Sequence, residues 1–283
     1  MKLDIRGMEY NIEIEGDPAG ARSAVLLHGF SGSSADWKEL TPAVRGMDRA
    51  VVAIDLAGHG LTQTPTDPSR FTLAETARDL EAILSQIGIS EADWVGYSMG
   101  GRVALHFALT CPARVRSLVL ESTSPGVREV GDRARRRKSD DALARRIEER
   151  GIKWFADYWS TLPLFETLWE LPTETHANLR ARRLANVPAG LAGSLRGMGQ
   201  GAHEYMGDRL REIRCEVLFV VGERDPKYVE VARRAQRSVA GSRIVVVPAA
   251  GHTVHLEAPE AFAEALAAHW NAAPQRLEAS SQS

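Results

Sequence analysis

The chain has 283 residues, of which 44% are hydrophobic and 25% charged, with a formal net charge of −2. This is the composition of a globular protein with a large core, and its isoelectric point near 6.5 argues against nucleic acid as a partner. No uncharged apolar run approaches the ~18 residues of a membrane helix, and the N-terminus lacks the apolar segment of a signal peptide, so we expect a cytoplasmic protein without membrane insertion.

Short apolar runs along the chain predict eight β-strands. The first two flank Gly7 and indicate an antiparallel hairpin, whereas later runs such as VVAI and VLFVV are continuously apolar, as in parallel strands covered on both faces. The predicted strands are Lys2–Ile5, Met8–Ile14, Ser23–His28, Ala50–Ile54, Ala92–Gly96, Val115–Leu120, Val217–Val221 and Arg243–Val247.

Helical patterns separate most of these strands. Apolar residues from Leu73 to Ile87 form one stripe behind Thr72, a plausible N-cap with Glu75 three residues on, and a second helix ends before Pro112. Alternating strands and helices predict a mostly parallel α/β sheet flanked by helices.

This alternation stops between Leu120 and Glu216, where only helical patterns occur, which predicts an all-helical insertion between two strands. We therefore expect a core of residues 1–124 and 205–270, an inserted cap of residues 125–204, and a disordered polar tail of residues 271–283. The predicted cap helices are Ala142–Arg150, Lys153–Trp159, Thr173–Leu184 and Gly190–Met198.

The motif GYSMGG at residues 96–101 fits G-x-S-x-G and stands between a predicted strand and a predicted helix. A serine at such a turn exposes its hydroxyl above the sheet, and the flanking glycines allow the tight backbone. Ser98 is therefore the candidate catalytic serine.

An acid and a histidine follow in the order this arrangement requires. Asp225 and His252 each come just after a strand, at the edge where open α/β sheets place their sites. Asp225 would orient His252, which would take the proton of Ser98. Glu223 is a competing acid, and His255 a competing histidine that we expect to be structural.

The string LLHGF ends the third strand. The backbone N–H groups of Phe30 and Met99 would form an oxyanion hole, whereas His28 and His59 are interpreted as structural residues of their loops. Taken together, these motifs resemble the α/β-hydrolase fold superfamily over nearly the full chain, with the insertion as its cap.

The charge of the cap narrows the substrate class. Residues 125–200 hold 14 Lys and Arg, 12 of them Arg, against 10 Asp and Glu, so the cap carries +4 and the remainder −6. A guanidinium binds a carboxylate through two hydrogen bonds, as an ammonium does not. The balance favours a substrate with several carboxylates over the neutral substrate of an esterase.

Specific strings carry a closer resemblance: STSPG, RRRKSDDALARRIEERGI, FADYWSTLPLF, RARRLANVPAGLAGSLRGMGQG, GERDPKY and AGHTVHLEAPE. Together they resemble the 2-succinyl-6-hydroxy-2,4-cyclohexadiene-1-carboxylate synthases, the menaquinone (vitamin K2) biosynthesis family often called MenH, over about residues 22–268. The resemblance implies a lyase that eliminates pyruvate from 2-succinyl-5-enolpyruvyl-6-hydroxy-3-cyclohexene-1-carboxylate, a small tricarboxylate.

The same resemblance implies that Arg102, Arg136 and Arg183 bind substrate carboxylates and that Tyr97 and Trp159 line the pocket. We also expect the segment RARRRKSDD, residues 133–141, to open a cap helix that directs Arg136 towards the pocket. Neighbouring residues compete for three of these roles: Arg135 or Arg137, Arg182, and Tyr158. Each cap arginine could instead form a surface ion pair.

The implied mechanism is not hydrolysis. Ser98, polarised by His252, would remove a ring proton as a base, and no cofactor is expected; the two cysteines are too few for a zinc site. One alternative is a carboxylesterase or C–C bond hydrolase with Ser98 as nucleophile, and another is a non-catalytic receptor of the same fold. The sequence leaves the oligomeric state open.

Overall fold

The computed structural model describes residues 1–20 and 22–272, which contain a single eight-stranded sheet. The strand order across the sheet is β1-β2-β4-β3-β5-β6-β7-β8. The strands are β1 (Lys2–Ile5), β2 (Met8–Glu15), β3 (Arg22–Leu27), β4 (Arg49–Ile54), β5 (Ala92–Tyr97), β6 (Val115–Glu121), β7 (Glu216–Gly222) and β8 (Arg243–Val247).

The pairing of these strands confirms the predicted sheet. β1 and β2 form an antiparallel hairpin through Gly7, whose φ of +77° favours glycine. β2 also runs antiparallel to β4, and all the pairings from β4 to β8 are parallel. The sheet is therefore mostly parallel, as the continuous apolar runs indicated.

Nine α-helices accompany the strands within the described residues. Thr72 caps α2, because its hydroxyl accepts the Glu75 N–H at 3.3 Å, as predicted. The helices are α1 (Thr41–Gly46), α2 (Leu73–Gln86), α3 (Met99–Thr110), α4 (Val130–Ser160), α5 (Thr173–Leu184), α6 (Pro188–Met198), α7 (Pro226–Gln236), α8 (Val254–Glu257) and α9 (Pro259–Ala272).

Helices cover both faces of the sheet, and β3 shows how. Its residues Val25 and Leu27 belong to the apolar cluster that also contains residues of α2, α3 and α7, whereas the alternate residues Ala24 and Leu26 belong to the cluster that contains residues of α1 and α9. Successive strand side chains point to opposite faces, so a strand buried on both must be apolar throughout.

The segment between β6 and β7 is helical, in agreement with the predicted cap. α4 begins at Val130, before the predicted helix 142–150, and residues 133–141 form its first turns, as expected of the segment that carries Arg136. Its first turns are rich in arginine and largely exposed, so helix propensity forms them without an apolar stripe to reveal them. Gly151, with φ +78° and ψ 175°, interrupts α4 near the predicted break.

The proposed division into core residues 1–124 and 205–270 and cap residues 125–204 stays a prediction. The tail was predicted to begin at Asn271, but Asn271 and Ala272 are the last residues of α9. The remaining tail positions lie outside the described residues. In the described part of the chain, no helix is long and apolar enough to cross a membrane.

A buried ion pair lies where the parallel strands begin, at the end of the sheet opposite to the strand ends that carry the candidate catalytic residues. Arg49 Nε donates to Asp93 Oδ2 at 2.8 Å, and Ser117 Oγ donates to Asp93 Oδ1 at 2.7 Å. All three side chains are buried, and the Arg49 guanidinium lies 4.2 Å from the centre of the Trp270 ring. Loss of the carboxylate would leave a buried cation without a counter-charge.

We predict that Asp93→Asn lowers the free energy of unfolding by about 3–5 kcal/mol, because breaking a buried pair leaves an uncompensated charge. Urea denaturation measures this loss. Asp208→Asn is the control: its pair with Arg128 is exposed on both sides, so its midpoint should not move. Equal shifts in the two variants would contradict a structural role for the buried pair.

Candidate active site

Ser98 occupies a sharp turn between β5 and α3. Its φ of 50° and ψ of −103° are unusual for a residue with a side chain, and such strain is common at catalytic residues. The turn is held from β6: the Ser98 N–H donates to the Glu121 carbonyl at 2.8 Å, and the Thr123 hydroxyl donates to the Ser98 carbonyl at 2.6 Å. The hydroxyl of Ser98 is thereby presented above the sheet.

The glycines around Ser98 are required by close backbone approach. A Cβ on Gly100 would stand 2.2 Å from the Leu27 carbonyl oxygen, and one on Gly96 would stand 2.6 Å from the Gly100 carbonyl oxygen. Both distances are shorter than a Cβ atom can tolerate, so this turn requires glycine at both positions of the G-x-S-x-G motif.

His252 lies between Ser98 and Asp225. Its Nδ1 is 2.6 Å from Asp225 Oδ2 and its Nε2 is 3.2 Å from Ser98 Oγ. The carboxylate, which is 5% exposed, requires a proton on Nδ1, so Nε2 is left to accept the serine proton. The loops after β7 and β8 bring these side chains to the end of β5.

The two competing residues lie elsewhere. Glu223 is exposed and accepts the Ala249 N–H at 3.2 Å, without a bond to His252. His255 lies in α8 and its Nδ1 bonds the buried carboxylate of Glu121 at 2.8 Å. Geometry therefore favours Asp225 and His252 over these alternatives.

Two backbone N–H groups near Ser98 are available to a ligand. Met99 is the first residue of α3, where the N–H has no acceptor within the helix. Phe30 follows Gly29 in a turn closed by the bond from Gly32 N–H to the Gly29 carbonyl at 3.1 Å, which does not use the Phe30 N–H. Both residues border the cavity at Ser98, so their N–H groups remain the predicted oxyanion hole.

A cavity of about 120 Å³ opens above Ser98 between the sheet and the cap. Its walls include eight of the ten predicted site residues: Phe30, Tyr97, Ser98, Met99, Arg102, Arg136, Trp159 and His252. Asp225 lies behind His252 and does not reach the cavity. Arg183 also lies outside it.

Arg102, on the first turn of α3, brings a cation into this cavity. Its side chain is 5% exposed and donates from Nη2 to the Met198 carbonyl at 3.2 Å, while Nε has no partner within the described residues. Burial, together with the charge of nearby Arg136, lowers the pKa of Arg102 to about 10. It forms no ion pair in the described part of the chain, so a substrate carboxylate would supply the missing counter-charge.

Arg136 faces the same cavity from α4. Its Nε donates to Asp140 Oδ1 at 2.8 Å, and its Nη1 lies 3.4 Å from Gln200 Oε1. Arg135 instead pairs with Asp132 on the exposed side of the helix, and Arg137 is exposed. Of the three candidates, Arg136 is the one that the helix directs inward.

Arg183 is separated from the Ser98 cavity by Tyr97, Trp159 and Phe165, which line both sides. It borders a small neighbouring cavity and a larger cap chamber of about 310 Å³, and its guanidinium lies 5.8 Å from the centre of the Phe165 ring. Burial lowers its pKa, and it has no ion pair within the described residues. Arg182 instead binds Asp36 at 3.1 Å.

The aromatic residues divide in the same way. Trp159 packs edge-on against Phe30, with ring centres 5.2 Å apart, and lines the Ser98 cavity. Tyr158 stacks on Trp154, away from that cavity. Tyr97 donates to or accepts from Thr253 Oγ1 at 2.8 Å, which ties the residue before the serine to the residue after His252.

Among the lining residues that sequence reasoning missed are Lys227, Tyr228 and Gln200. The Tyr228 ring packs against His252 with centres 4.6 Å apart, and its hydroxyl accepts Gln200 Nε2 at 2.9 Å. Lys227 and Tyr228 lie in the first turn of α7, which follows Asp225 in the chain. Their nearness in sequence to the predicted acid could have identified them.

Known proteins are similar to this chain along most of its length. Residues 25–259 match the family model of the α/β hydrolase fold. A Bacillus subtilis (strain 168) protein named for 2-succinyl-6-hydroxy-2,4-cyclohexadiene-1-carboxylate synthase is 39% identical over 90% of this chain and 92% of its own. The Salmonella heidelberg (strain SL476) synthase is 32% identical, over 88% of this chain and 93% of its own.

The chain therefore belongs to the 2-succinyl-6-hydroxy-2,4-cyclohexadiene-1-carboxylate synthase family. The structure of MenH from S. aureus superimposes with a TM-score of 0.87 at 32% identity, and covers 92% of this chain and 97% of the other. The resemblance stated from the sequence strings is confirmed, as is the α/β-hydrolase fold. The roles of the individual site residues in this synthase-family chain stay predictions.

We predict that Asp225→Asn lowers kcat by about 10⁴-fold, because an amide donor leaves the proton of His252 on the wrong nitrogen. Ser98→Ala and His252→Ala should each lose about 10³-fold or more. Steady-state turnover is the measurement, and Glu223→Gln is the control that should keep its rate. Near-normal turnover in Asp225→Asn together with loss of turnover in Glu223→Gln would show that Glu223, and not Asp225, is the acid.

We predict that Arg136→Ala lowers kcat/KM by about 10- to 200-fold. This factor corresponds to the loss of one charge-assisted hydrogen bond to a desolvated carboxylate. Arg136→Lys should recover only part of the loss, since an ammonium lacks the two-pronged geometry.

Arg135→Ala is the matched control on the same helix and should change kcat/KM less than about threefold. Equal losses in Arg135→Ala and Arg136→Ala would show that the arginine cluster is a solvated helix face.

Proposed function

We propose that this chain eliminates pyruvate from 2-succinyl-5-enolpyruvyl-6-hydroxy-3-cyclohexene-1-carboxylate to give 2-succinyl-6-hydroxy-2,4-cyclohexadiene-1-carboxylate in menaquinone biosynthesis, in the cytoplasm. Its partner is the small tricarboxylate substrate. Relatives along nearly the whole chain are named for this activity.

The observation that carries the proposal is the buried Arg102 guanidinium, which faces the Ser98 cavity without an ion-pair partner in the described residues. An unpaired buried cation is costly unless a ligand neutralises it. Arg136 and Lys227 add positive charge to the same wall. This cavity suits an anionic substrate and gives a neutral ester no comparable advantage.

The geometry supplies a base for the reaction. Ser98 Oγ can pass its proton to His252 Nε2 across 3.2 Å and take a proton from ring carbon 2 of the substrate, which bears the succinyl group. As that C–H bond breaks, a double bond forms between ring carbons 2 and 3 and the double bond between carbons 3 and 4 moves to carbons 4 and 5. The C–O bond from carbon 5 to the enolpyruvyl group breaks, and the departing enolate becomes pyruvate on protonation. No bond forms between Ser98 and the substrate.

Negative charge that develops during proton removal needs donors fixed in advance. The Phe30 and Met99 N–H groups and the Arg102 guanidinium face the cavity where this charge would appear. The elimination is redox-neutral and requires proton transfer and charge stabilisation alone, so the proposal includes no cofactor.

The test supplies the purified protein with the enolpyruvyl precursor and follows pyruvate with a coupled lactate dehydrogenase assay. The expected result is catalytic pyruvate release that Ser98→Ala abolishes, together with slow hydrolysis of a p-nitrophenyl ester. Efficient ester hydrolysis without pyruvate release would assign the chain to the hydrolases. Pyruvate release unaffected by Ser98→Ala would remove the serine from the mechanism.

A further inference from the structure

Glu121 is the last residue of β6 and lies beneath the two loops that carry Ser98 and His252. Its side chain is fully buried and does not border the cavity at Ser98. Its carbonyl oxygen accepts the Ser98 N–H at 2.8 Å. The strained serine turn is therefore fixed to the backbone of Glu121.

The carboxylate of Glu121 reaches the other loop. Its Oε1 accepts the backbone N–H of His255 at 3.0 Å, and both of its oxygens lie within 2.9 Å of the ring Nδ1 of His255. His255 stands three residues after His252, in the short helix α8. One residue therefore holds the loops of both the serine and the histidine.

The His255 ring extends this connection sideways. It packs against Trp37 with ring centres 4.4 Å apart, and against Tyr97 at 5.0 Å. Tyr97 in turn bonds Thr253 through its hydroxyl. The residue before Ser98 is thus bonded directly to the residue after His252, and the His255 ring packs against the first of these two residues.

Stability alone gives little reason for a charged pair at this place. Apolar side chains of similar volume often replace a buried ion pair without loss of stability. His255 Nε2 also has no partner within the described residues, which is a cost that an apolar side chain would avoid. A hydrogen bond that a backbone N–H donates to a carboxylate, however, is directional. It fixes the position of a loop, whereas apolar contacts do not.

We propose that Glu121 and His255 form a positioning pair that sets the hydrogen bond between Ser98 and His252. The proposal rests on the proposed function, because it assigns the pair to the turnover of that site. Misplacement of a catalytic group by about 1 Å can cost about 100-fold in rate. The pair acts through the triad and does not touch the substrate.

The test compares Glu121→Gln and the apolar double variant Glu121→Leu/His255→Phe with the wild-type protein. We expect kcat for pyruvate release to fall about 10- to 100-fold in Glu121→Gln and further in the double variant, with KM within about threefold. The rate at which a fluorophosphonate labels Ser98 should fall by the same factors, because labelling also needs an aligned His252.

Asp93→Asn is the matched control, since it breaks a buried pair at the opposite edge of the sheet. It should lower Tm and leave kcat and the labelling rate within about twofold of wild type. Wild-type kcat and labelling in folded Glu121→Gln or in the double variant would overturn the proposal. Losses that follow Tm alike in Glu121→Gln and Asp93→Asn would overturn it as well.

The two readouts separate this proposal from the proposed function. If the wild-type protein releases no pyruvate, the proposed function fails. Unchanged labelling rates in the Glu121 variants would refute the positioning pair, whatever the natural substrate is.

Discussion

We propose that the chemistry of this protein depends on the 2.6 Å hydrogen bond between His252 Nδ1 and Asp225 Oδ2. Because the carboxylate holds the proton on Nδ1, the other ring nitrogen is free to accept from Ser98, which lies 3.2 Å away. The parallel sheet makes this bond possible: β7 and β8 are neighbours, and their carboxyl ends place the acid and the histidine side by side. The order of the strands thus determines the protonation of the base.

The same catalytic arrangement serves hydrolases, so the surroundings of Ser98 must decide the reaction. Here the cavity wall carries Arg102 and Arg136, and the first is buried without an ion pair in the described residues. Its lowered pKa records how poorly protein groups solvate it. We propose that a substrate carboxylate restores this lost solvation close to the point where proton removal builds up negative charge. Recognition and catalysis would then use the same cations.

The features that could be predicted correctly depend on residues that are close together in the sequence. Continuous apolar runs marked the parallel strands, and the G-x-S-x-G turn marked Ser98, because steric constraints at such a turn tolerate few residues. Apolar periodicity indicated a start of α4 at Ala142 and not at Val130, since its solvated first turns carry no apolar stripe. The sequence also did not predict the separate chamber at Arg183 or the hydrogen bond between Glu121 and His255, because both depend on contacts between distant segments. Long-range packing of this kind leaves no periodic signature in one sequence.

The central claim is that Ser98 acts as a base and never as a nucleophile towards the natural substrate. The most direct measurement is the intact mass of the enzyme, quenched in acid within the first turnovers on the enolpyruvyl precursor. We expect an unmodified mass at every time point, because proton transfer leaves no covalent modification on the serine. A substrate-derived adduct on Ser98 that forms and decays at the rate of turnover would contradict it and establish nucleophilic catalysis.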